Sequence, residues 1–337
     1  MKLLPPFILF SMVLWLLYLP LNANSVTTIH IGHDSQINAP SHLAMLAFKE
    51  QVERESRGSL KVKIFPARQF GDVYETCMLV QQGNLQMTFG ATMLLTNIFP
   101  EYYTLDSLYL FNSFEQAKAS LLNKELRDIL LKPLETKGFK GFGFMASGFR
   151  VLTNSQKPIY DLSDLAALKI RVASSPMQIQ TWKSLGALPI SLSFGEVFLS
   201  LQQGLINAQE SSLFSIFHER FFEGQSHLSL TYHSFTNYIV FMQKAFFEKL
   251  SKEEQAIVVT AAESAIEQQW SHAQKENQRA LELLSSTRIT INTPNNSFKE
   301  SVKTLMQGSI EKQLRHRAGG LFYDHVIEEI NRIKQKS

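Results

Sequence analysis

Two spacings of apolar residues alternate along this chain. Residues 60–65 read Leu-Lys-Val-Lys-Ile-Phe, so apolar and polar side chains alternate, which is typical of a half-buried strand. Short apolar runs at 27–31, 87–90 and 141–144 predict three further strands. Residues 40–55 carry apolar side chains at helical spacing and predict an amphipathic helix. Strands and helices in alternation predict an α/β fold around a largely parallel sheet.

Two later helices carry capping signals at their starts. Ser193 is followed three residues later by Glu196, and Ser251 by Glu254, which is the spacing of a capping box. The helix that Ser251 opens is predicted to reach Leu284, a length of roughly 50 Å at about 1.5 Å per residue. A helix of that length can lie across two lobes.

The N-terminus has the features of an export signal. Met1 and Lys2 give a short basic start, residues 7–19 form an apolar stretch, and residues 21–23 resemble a small-residue cleavage site. Residues 1–23 are therefore predicted to be a signal peptide, which places the mature protein in the periplasm. The alternative is an uncleaved membrane anchor, but the apolar run is short for a span of roughly 20 residues.

Composition narrows the class of protein. The formal net charge is +3 over 337 residues, which does not indicate a nucleic-acid partner. Removal of the predicted signal leaves 337 − 23 = 314 residues, enough for two lobes with separate cores. The single cysteine, Cys77, rules out an internal disulfide. It is predicted to be a small buried side chain on a helix.

Arg171 is the first candidate for a ligand-binding residue. It lies in the run Leu-Lys-Ile-Arg-Val at 168–172, where strand geometry puts the three aliphatic side chains on one buried face. Arg171 then points the other way at the carboxyl end of the strand, where ligands bind in open α/β folds. A guanidinium is always charged and planar, so it suits a carboxylate. The alternative is a surface or interlobe salt bridge.

A series of short motifs extends over nearly the whole chain after residue 23. They are Ala-Arg-Gln-Phe-Gly-Asp at 67–72, Gly-Phe-Arg-Val-Leu-Thr-Asn-Ser at 148–155, Leu-Lys-Ile-Arg-Val at 168–172, Leu-Gly-Ala-Leu-Pro at 185–189, Ser-Phe-Gly-Glu-Val-Phe at 193–198, Gln-Gln-Gly at 202–204, Asn-Ala-Gln-Glu at 207–210 and Leu-Thr-Tyr-His at 230–233. In order and spacing the chain resembles the substrate-binding proteins of tripartite ATP-independent periplasmic (TRAP) transporters, the DctP-like family.

This resemblance implies a two-lobed periplasmic binding-protein fold, with crossing strands and a long helix that spans both lobes. The lobes are expected to comprise 24–147 plus 236–275, and 148–235 plus 276–337. They are expected to close on a small carboxylate ligand and deliver it to TRAP membrane permease subunits driven by an ion gradient. The arginine that holds the ligand carboxylate in the family falls on Arg171.

A second arginine of the family site falls on Arg150, for which a buried structural pair with Glu210 is the alternative. Members of the family commonly carry Asp-Gly-Gln-Glu-Asn-Pro where residues 207–212 read Asn-Ala-Gln-Glu-Ser-Ser, so Ser211 replaces an asparagine that helps to hold the carboxylate. Residues 90–94 read Gly-Ala-Thr-Met-Leu instead of Ala-Glu-Ser-Ala-Arg. The resemblance therefore favours a smaller or more apolar acid over sialic acid. A dicarboxylate, a hydroxy or keto acid and an aromatic acid all stay open.

Four further residues are candidates for the cleft. Ser174 precedes a predicted helix and is expected to cap it, with backbone N–H groups that favour an anion. Phe194 is expected beside the cleft, with core packing as its alternative. Thr92 and Asp34 are expected to line the opposite lobe. Because Asp34 would repel a carboxylate at close range, it is either distant from it or meets a hydroxyl or amine of the ligand.

The leading hypothesis for function is reversible binding of a small organic acid without chemistry, as the lobes rotate about the strands near residues 147 and 235. One alternative is a periplasmic sensor whose closed form is read by a membrane receptor. An exported hydrolase or lyase is less favoured, because no motif supplies a base and a nucleophile in one cleft. No cofactor or metal site is predicted.

Overall fold

A computed structural model describes residues 26–336, so the predicted signal peptide at 1–23 lies outside the described residues. Strands and helices alternate along most of this part of the chain, as the apolar spacing predicts. The strands are β1 Thr27–Gly32, β2 Leu60–Phe65, β3 Met87–Ala91, β4 Phe139–Asn154, β5 Lys169–Val172, β6 Leu188–Ser191, β7 Ala208–Ser212, β8 His227–Gln243 and β9 Thr290–Asn292.

The helices surround this set of strands. They are α1 Pro40–Glu55, α2 Val73–Gln82, α3 Phe114–Leu122, α4 Lys124–Thr136, α5 Pro176–Ser184, α6 Val197–Gln202, α7 Leu213–His218, α8 Lys244–Lys249, α9 Lys252–Ser285, α10 Asn296–Leu305, α11 Glu311–Ala318 and α12 Gly320–Lys334. Within the described part of the chain, none of them combines the length and the apolarity needed to cross a bilayer. The α/β prediction is confirmed, and Cys77 is buried on α2 as expected.

The strands form one sheet in the order β2-β1-β3-β8-β4-β7-β5-β6, with β9 paired to β8. The pairs β2–β1, β1–β3, β7–β5 and β5–β6 are parallel. The central pairs β3–β8, β8–β4 and β4–β7 are antiparallel. The prediction of a largely parallel sheet is therefore right at both wings and wrong in the centre. The reason is that two long strands pass through the middle of the sheet in opposite directions.

These crossing strands, β4 and β8, connect the apolar cores. β4 has 16 residues and β8 has 17, and the register of their pairing shifts at three places. Phe144 of β4 belongs to the core around β1 to β3, Leu152 to the core around β5, and Val151 to a third cluster with α7. Each core is thus anchored to the same pair of strands, and the register shifts bend the strands between them.

The long helix α9 also passes from one core to another. The predicted capping box is present at its start, where the Glu254 amide donates to Ser251 Oγ at 3.2 Å. The helix runs for 34 residues and ends at Ser285, one residue beyond the predicted end. Trp270 is fully buried in the first core, and Leu284 is fully buried in the third. α9 is therefore one continuous helix that extends from the first core to the third.

The last helix, α12, belongs to neither half alone. Its Val326 and Ile330 pack in the first core, while Tyr323 packs in the core around β5. The division of the chain into lobes at residues 147, 235 and 275 stays a prediction.

Gly148 lies where β4 bends, at a register shift against β8. Its φ of +133° is a conformation that residues with a side chain rarely adopt. A Cβ atom there would lie 2.8 Å from the Asn277 Nδ2 atom. The Asn277 amide donates to the Ser147 carbonyl at 2.8 Å and accepts from the Phe214 N–H at 3.2 Å, which ties α9 to β4 and α7. Glycine is therefore required for both the bend and the packing of α9 against it.

We expect Gly148→Ala to lower the free energy of unfolding by roughly 1–3 kcal/mol from backbone strain alone, with an added loss from displacement of the Asn277 side chain. Thermal denaturation followed by circular dichroism measures this effect. Gly186→Ala is the matched control, because its φ is +91° but a Cβ would meet no atom within 4 Å. Equal losses in Tm for the two variants would show that the Asn277 contact contributes nothing.

Candidate functional site

A half-open cavity of about 100 Å³ lies where the two halves of the molecule meet. Its walls come from several segments of the chain. They are the loop before α1 with the first two residues of that helix (34–41), the end of β3 and the turn after it (91–94), the middle of the crossing strands (146–150 and 236–238), the end of β5 (171–173), Phe194, the segment from β7 through α7 (211–219) and Gln269 of α9. The site therefore forms at the carboxyl ends of β1, β3 and β5, where an open α/β fold is expected to bind a ligand.

Arg171 projects into this cavity from the strand that was predicted to carry it. Ile170 and Val172 on either side are fully buried in the core, and Arg171 is itself only 4% exposed. Its Nε and Nη2 atoms donate to the Leu192 carbonyl oxygen at 3.0 and 2.8 Å. Among the described residues no carboxylate lies within 4 Å of the guanidinium, and Nη1 has no hydrogen-bond partner. One edge of the fork is thus fixed, and the other is left for an incoming acceptor.

The charge of Arg171 is maintained despite its burial. Burial lowers the pKa of the guanidinium to about 10, and the neighbouring charge of Arg150 acts in the same direction. A pKa of about 10 still leaves Arg171 charged at neutral pH. The Phe194 ring lies beside it, with its centroid 5.6 Å from the guanidinium carbon. Glu210 and Glu196 act on the pKa in the opposite direction to burial, but neither forms an ion pair with the guanidinium, so the site presents a fixed cation without a direct counter-ion.

Arg150 forms the buried pair with Glu210 that was its alternative description, and its role towards a ligand stays a prediction. It lines the cavity, and it also pairs with the buried Glu210 through Nε and through Nη2, the latter at 2.8 Å from Oε1. Nη1 donates to Thr236 Oγ1 at 2.9 Å. Burial alone would raise the pKa of the Glu210 carboxyl, but Arg150 and His233 outweigh it and lower the pKa to about 2. Arg150 therefore lines the cavity with its charge neutralised by Glu210, in contrast to Arg171.

Ser211 and Phe194 also line the cavity, and their role in ligand binding stays a prediction. Ser211 is buried on β7, directly beside Glu210 in the chain. Phe194 begins the short helix that the capping box at Ser193 opens. Its ring centroid lies 5.2 Å from the guanidinium carbon of Arg68 as well as 5.6 Å from that of Arg171. The aromatic ring thus lies near two cations that come from different parts of the chain.

Ser174 and Thr92 do not join the other candidates. Ser174 is exposed and accepts a 3.3 Å hydrogen bond from Ser191 Oγ, and Ser175, not Ser174, occupies the N-cap position of α5. The predicted cap is therefore wrong by one residue. Thr92 lines a separate cavity of about 10 Å³ and donates to Asn237 Oδ1 at 3.1 Å. Its side chain follows the turn after β3, whereas the neighbouring Ala91 and Met93 line the main cavity.

Several cavity residues were not anticipated. Tyr238 and Thr236 lie two apart on β8 and therefore share a face. That alternation is visible in the sequence, but the face that meets the cavity depends on the register shifts. Asp34 lines the cavity as expected, and Gln36 and Glu219 join it there. Burial raises the pKa of Asp34 to about 6, with Arg68 opposing the shift.

Contacts between the two halves close the cavity. Asn38 Nδ2 lies 2.8 Å from His218 Nδ1, and Gln36 Nε2 donates to Glu219 Oε1 at 3.4 Å. Arg68 Nη2 approaches the same Glu219 oxygen at 4.0 Å. The first residue of each pair precedes α1 or α2, and the second either ends α7 (His218) or directly follows it (Glu219). In the described part of the chain, no group of three or more His, Cys, Asp or Glu side chains is arranged to hold a metal ion.

Comparison with known proteins identifies the fold and the family. A family model described as bacterial extracellular solute-binding protein, family 7 (DctP), matches residues 31–316. The chain belongs to the DctP family. It is 30% identical over 266 residues to the 2,3-diketo-L-gulonate-binding periplasmic protein YiaO of Escherichia coli, which covers 79% of this chain and 81% of that protein.

Two solved structures extend this result for the DctP-family fold. The sugar acid binding protein DctPAm of Advenella mimigardefordensis, in complex with galactonate, superposes with a TM-score of 0.86 at 26% identity, over 91% of this chain and 98% of that one. A TRAP periplasmic solute-binding protein of Sulfurospirillum deleyianum, with bound succinate, gives a TM-score of 0.82 at 26% identity, over 90% and 98%. The predicted two-lobed fold and the predicted relation to TRAP substrate-binding proteins are confirmed.

We expect Glu210→Gln to destabilise this DctP-family protein by about 3–5 kcal/mol, because it leaves the Arg150 charge buried without a partner. Because the folded pKa of Glu210 is about 2, below its ordinary 4.5, its contribution is present above pH 4.5 and is lost as the pH falls towards 2. Tm measured between pH 2.5 and 7 should therefore fall less steeply on the acid side for the variant.

Glu300→Gln is the control, because Glu300 pairs with Lys303 on the surface with a side chain that is 68% exposed. It should leave Tm nearly unchanged. A Glu210→Gln variant as stable as this control would show that the buried pair does not brace the site.

Proposed function

We propose that the protein is the extracytoplasmic binding component of a TRAP transporter and that it captures a small organic acid through Arg171. The observation that carries this proposal is a charged, rigidly held guanidinium that lines a half-open cavity and, among the described residues, has no carboxylate partner within 4 Å. A buried charge is stable only when it is paired or well hydrogen-bonded. A ligand carboxylate is the group that completes this site.

The affinity of such a site for a carboxylate can be estimated. A hydrogen bond to a charged group contributes roughly 1.5–3 kcal/mol net. Two such bonds from the open edge of Arg171, with burial of the ligand's carbon atoms against Met93 and Leu94, could supply about 8 kcal/mol, which corresponds to micromolar binding. Ser211 and Arg150 line the same cavity and add polar contacts near the carboxylate.

Closure of the two halves is the second part of the mechanism. In the open state, Arg171 would face water and a ligand could enter. Ligand contacts that exist only in the closed state shift the equilibrium towards closure. The pairs Asn38–His218 and Gln36–Glu219 then form the rim of the closed cleft. The closed surface is the form that the membrane permease subunits would recognise.

The proposed location follows from the same assignment. Proteins of the DctP family are extracellular solute-binding proteins, and residues 1–23 have the basic and apolar segments of an export signal. We infer that the mature chain works in the periplasm as a binding protein and not as an enzyme. Mass spectrometry of the bound acid after incubation should recover it unchanged.

We expect Arg171→Lys to weaken binding at least about tenfold, because lysine keeps the charge but loses the planar fork and its hold on the Leu192 carbonyl. Calorimetry against galactonate, succinate and D-erythronate measures the change for whichever of these acids binds. Arg315→Lys, at a half-exposed surface pair with Asp324, is the control. An unchanged dissociation constant for Arg171→Lys would refute the carboxylate anchor.

We expect Arg68→Ala to weaken binding about threefold or more without touching the anchor. Arg68 crosses the cleft to the Phe194 ring and to Glu219, and a cation–π contact contributes roughly 0.5–2 kcal/mol to the closed state. Stopped-flow measurements should show the loss mainly as faster ligand release. A variant with wild-type release would mean that these contacts do not stabilise closure.

A further inference from the structure

The turn that follows β2 has an unusual backbone. It comprises Pro66, Ala67, Arg68 and Gln69, and the Gln69 N–H donates to the Pro66 carbonyl oxygen at 3.3 Å. The φ angles of Ala67 and Arg68 are +53° and +64°. Positive φ at both central residues is the pattern of a type I′ turn, in which glycine, asparagine and aspartate predominate. Ala67 and Arg68 both carry a Cβ atom, so the turn holds two residues in a conformation that each of them disfavours.

Backbone hydrogen bonds to a neighbouring loop hold the turn in this form. The Ala67 N–H donates to the Ser35 carbonyl oxygen at 3.0 Å, and the Arg68 N–H donates to the His33 carbonyl oxygen at 3.2 Å. The loop that accepts these bonds follows β1, and Ser35 lines the cavity. The strained turn is therefore fixed to the cavity wall.

The side chain of Arg68 extends from this turn to another part of the molecule. The turn follows β2, whose Val62 belongs to the first core. Phe194 packs against the third core, and its ring centroid lies 5.2 Å from the guanidinium carbon of Arg68. A Cβ atom on Gly195 would lie 3.9 Å from both Cδ and Nε of Arg68. Because Nη2 also lies 4.0 Å from Glu219 Oε1, Arg68 contacts two separate segments across the cleft.

The direction of the Arg68 side chain depends on the type of turn. A type I turn has negative φ at both central residues and is compatible with alanine and arginine. Types I and I′ are mirror images in their backbone angles, so a change to type I would turn the Cα–Cβ bond of Arg68 away from its present direction. The contacts with Phe194 and Glu219 would then be lost. The strained form is thus the one that aims Arg68 across the cleft.

We propose that the left-handed turn at 67–68 positions Arg68 for ligand retention, and that Ala67 is a positioning residue that acts through Arg68. Phe194 and Glu219, which Arg68 contacts, both line the cavity. Strained backbone of this kind persists where the surrounding structure fixes it, and it clusters at functional sites. This inference rests on the proposed function, because it takes the cavity as the ligand site and closure as the step that retains the acid.

Substitutions at Ala67 test the backbone conformation directly, because this side chain is exposed. Positive φ suits glycine and is tolerated by asparagine, whereas for a β-branched residue it is a genuine outlier. We expect Ala67→Val to weaken binding about threefold or more, as the loss of a cation–π contact implies, mainly through faster release. Ala67→Gly and Ala67→Asn should bind like the wild type. Calorimetry and stopped-flow measurements with galactonate, succinate and D-erythronate measure affinity and release for whichever acid binds.

A double-mutant cycle shows whether Ala67 acts through Arg68. In an Arg68→Ala background, Ala67→Val should cause no further loss of affinity. Arg57→Val is the matched control, because Arg57 is exposed, has a φ of +52° and lies in the turn before β2, at the other end of that strand. It should lower Tm through the same backbone strain but leave affinity unchanged.

The outcomes separate this inference from the proposed function. Wild-type affinity in Ala67→Val, with binding that still depends on Arg171, would overturn the inference and leave the proposed function standing. An equal loss in Ala67→Gly, or a further loss in the Arg68→Ala background, would overturn it as well. If the wild-type protein binds none of the three acids, the proposed function itself fails, and the inference fails with it.

Discussion

One buried cation without a partner sets the conditions for the rest of this structure. Taking a guanidinium out of water costs free energy that hydrogen bonds and opposite charges must offset. The Leu192 carbonyl oxygen and the Phe194 ring offset part of that cost for Arg171. The negative charges of Glu210 and Glu196 offset a further part. On the proposed assignment, an anion that enters the cavity offsets the rest. The closed form is therefore incomplete without its ligand, and ligand binding becomes a source of stability for the protein.

Arg150 shows how the same type of side chain behaves when an ion pair neutralises its charge. It lies in the same cavity wall and is similarly buried, yet Glu210 and Thr236 occupy its donors. Because Glu210 is held ionised by Arg150 and His233, this group acts as a rigid brace between β4, β7 and β8. The two arginines therefore differ in role. Arg150 fixes the geometry of the crossing strands, and Arg171 is the one that we propose binds the solute.

The sequence predicts local structure and the direction of the Arg171 side chain well, because both depend on short-range rules. Alternation places Arg171 opposite its aliphatic neighbours, and the capping box at Ser251 fixes the start of α9 within the chain itself. The antiparallel centre of the sheet escapes prediction because it depends on pairing between strands far apart in sequence. The same holds for Thr92. It lies in a turn after β3 that directs its side chain to the smaller cavity, and the apolar periodicity of the sequence does not predict this direction. Side-chain direction at turns and bulges is decided by tertiary packing.

The fold and the choice of ligand are set by different parts of the molecule. The galactonate-binding and succinate-binding relatives superpose on this chain almost equally well, with TM-scores of 0.86 and 0.82. The backbone therefore does not distinguish a sugar acid from a diacid. A carboxylate anchor cannot distinguish them either, because both kinds of ligand present the same group to it. Discrimination must come from the other side chains of the cavity wall, among which are the carboxylates of Asp34 and Glu219. Their charge acts on the ligand only after closure has removed water between them, since a charge screened by water discriminates weakly. Closure is thus the step at which a general acid-binding scaffold becomes selective.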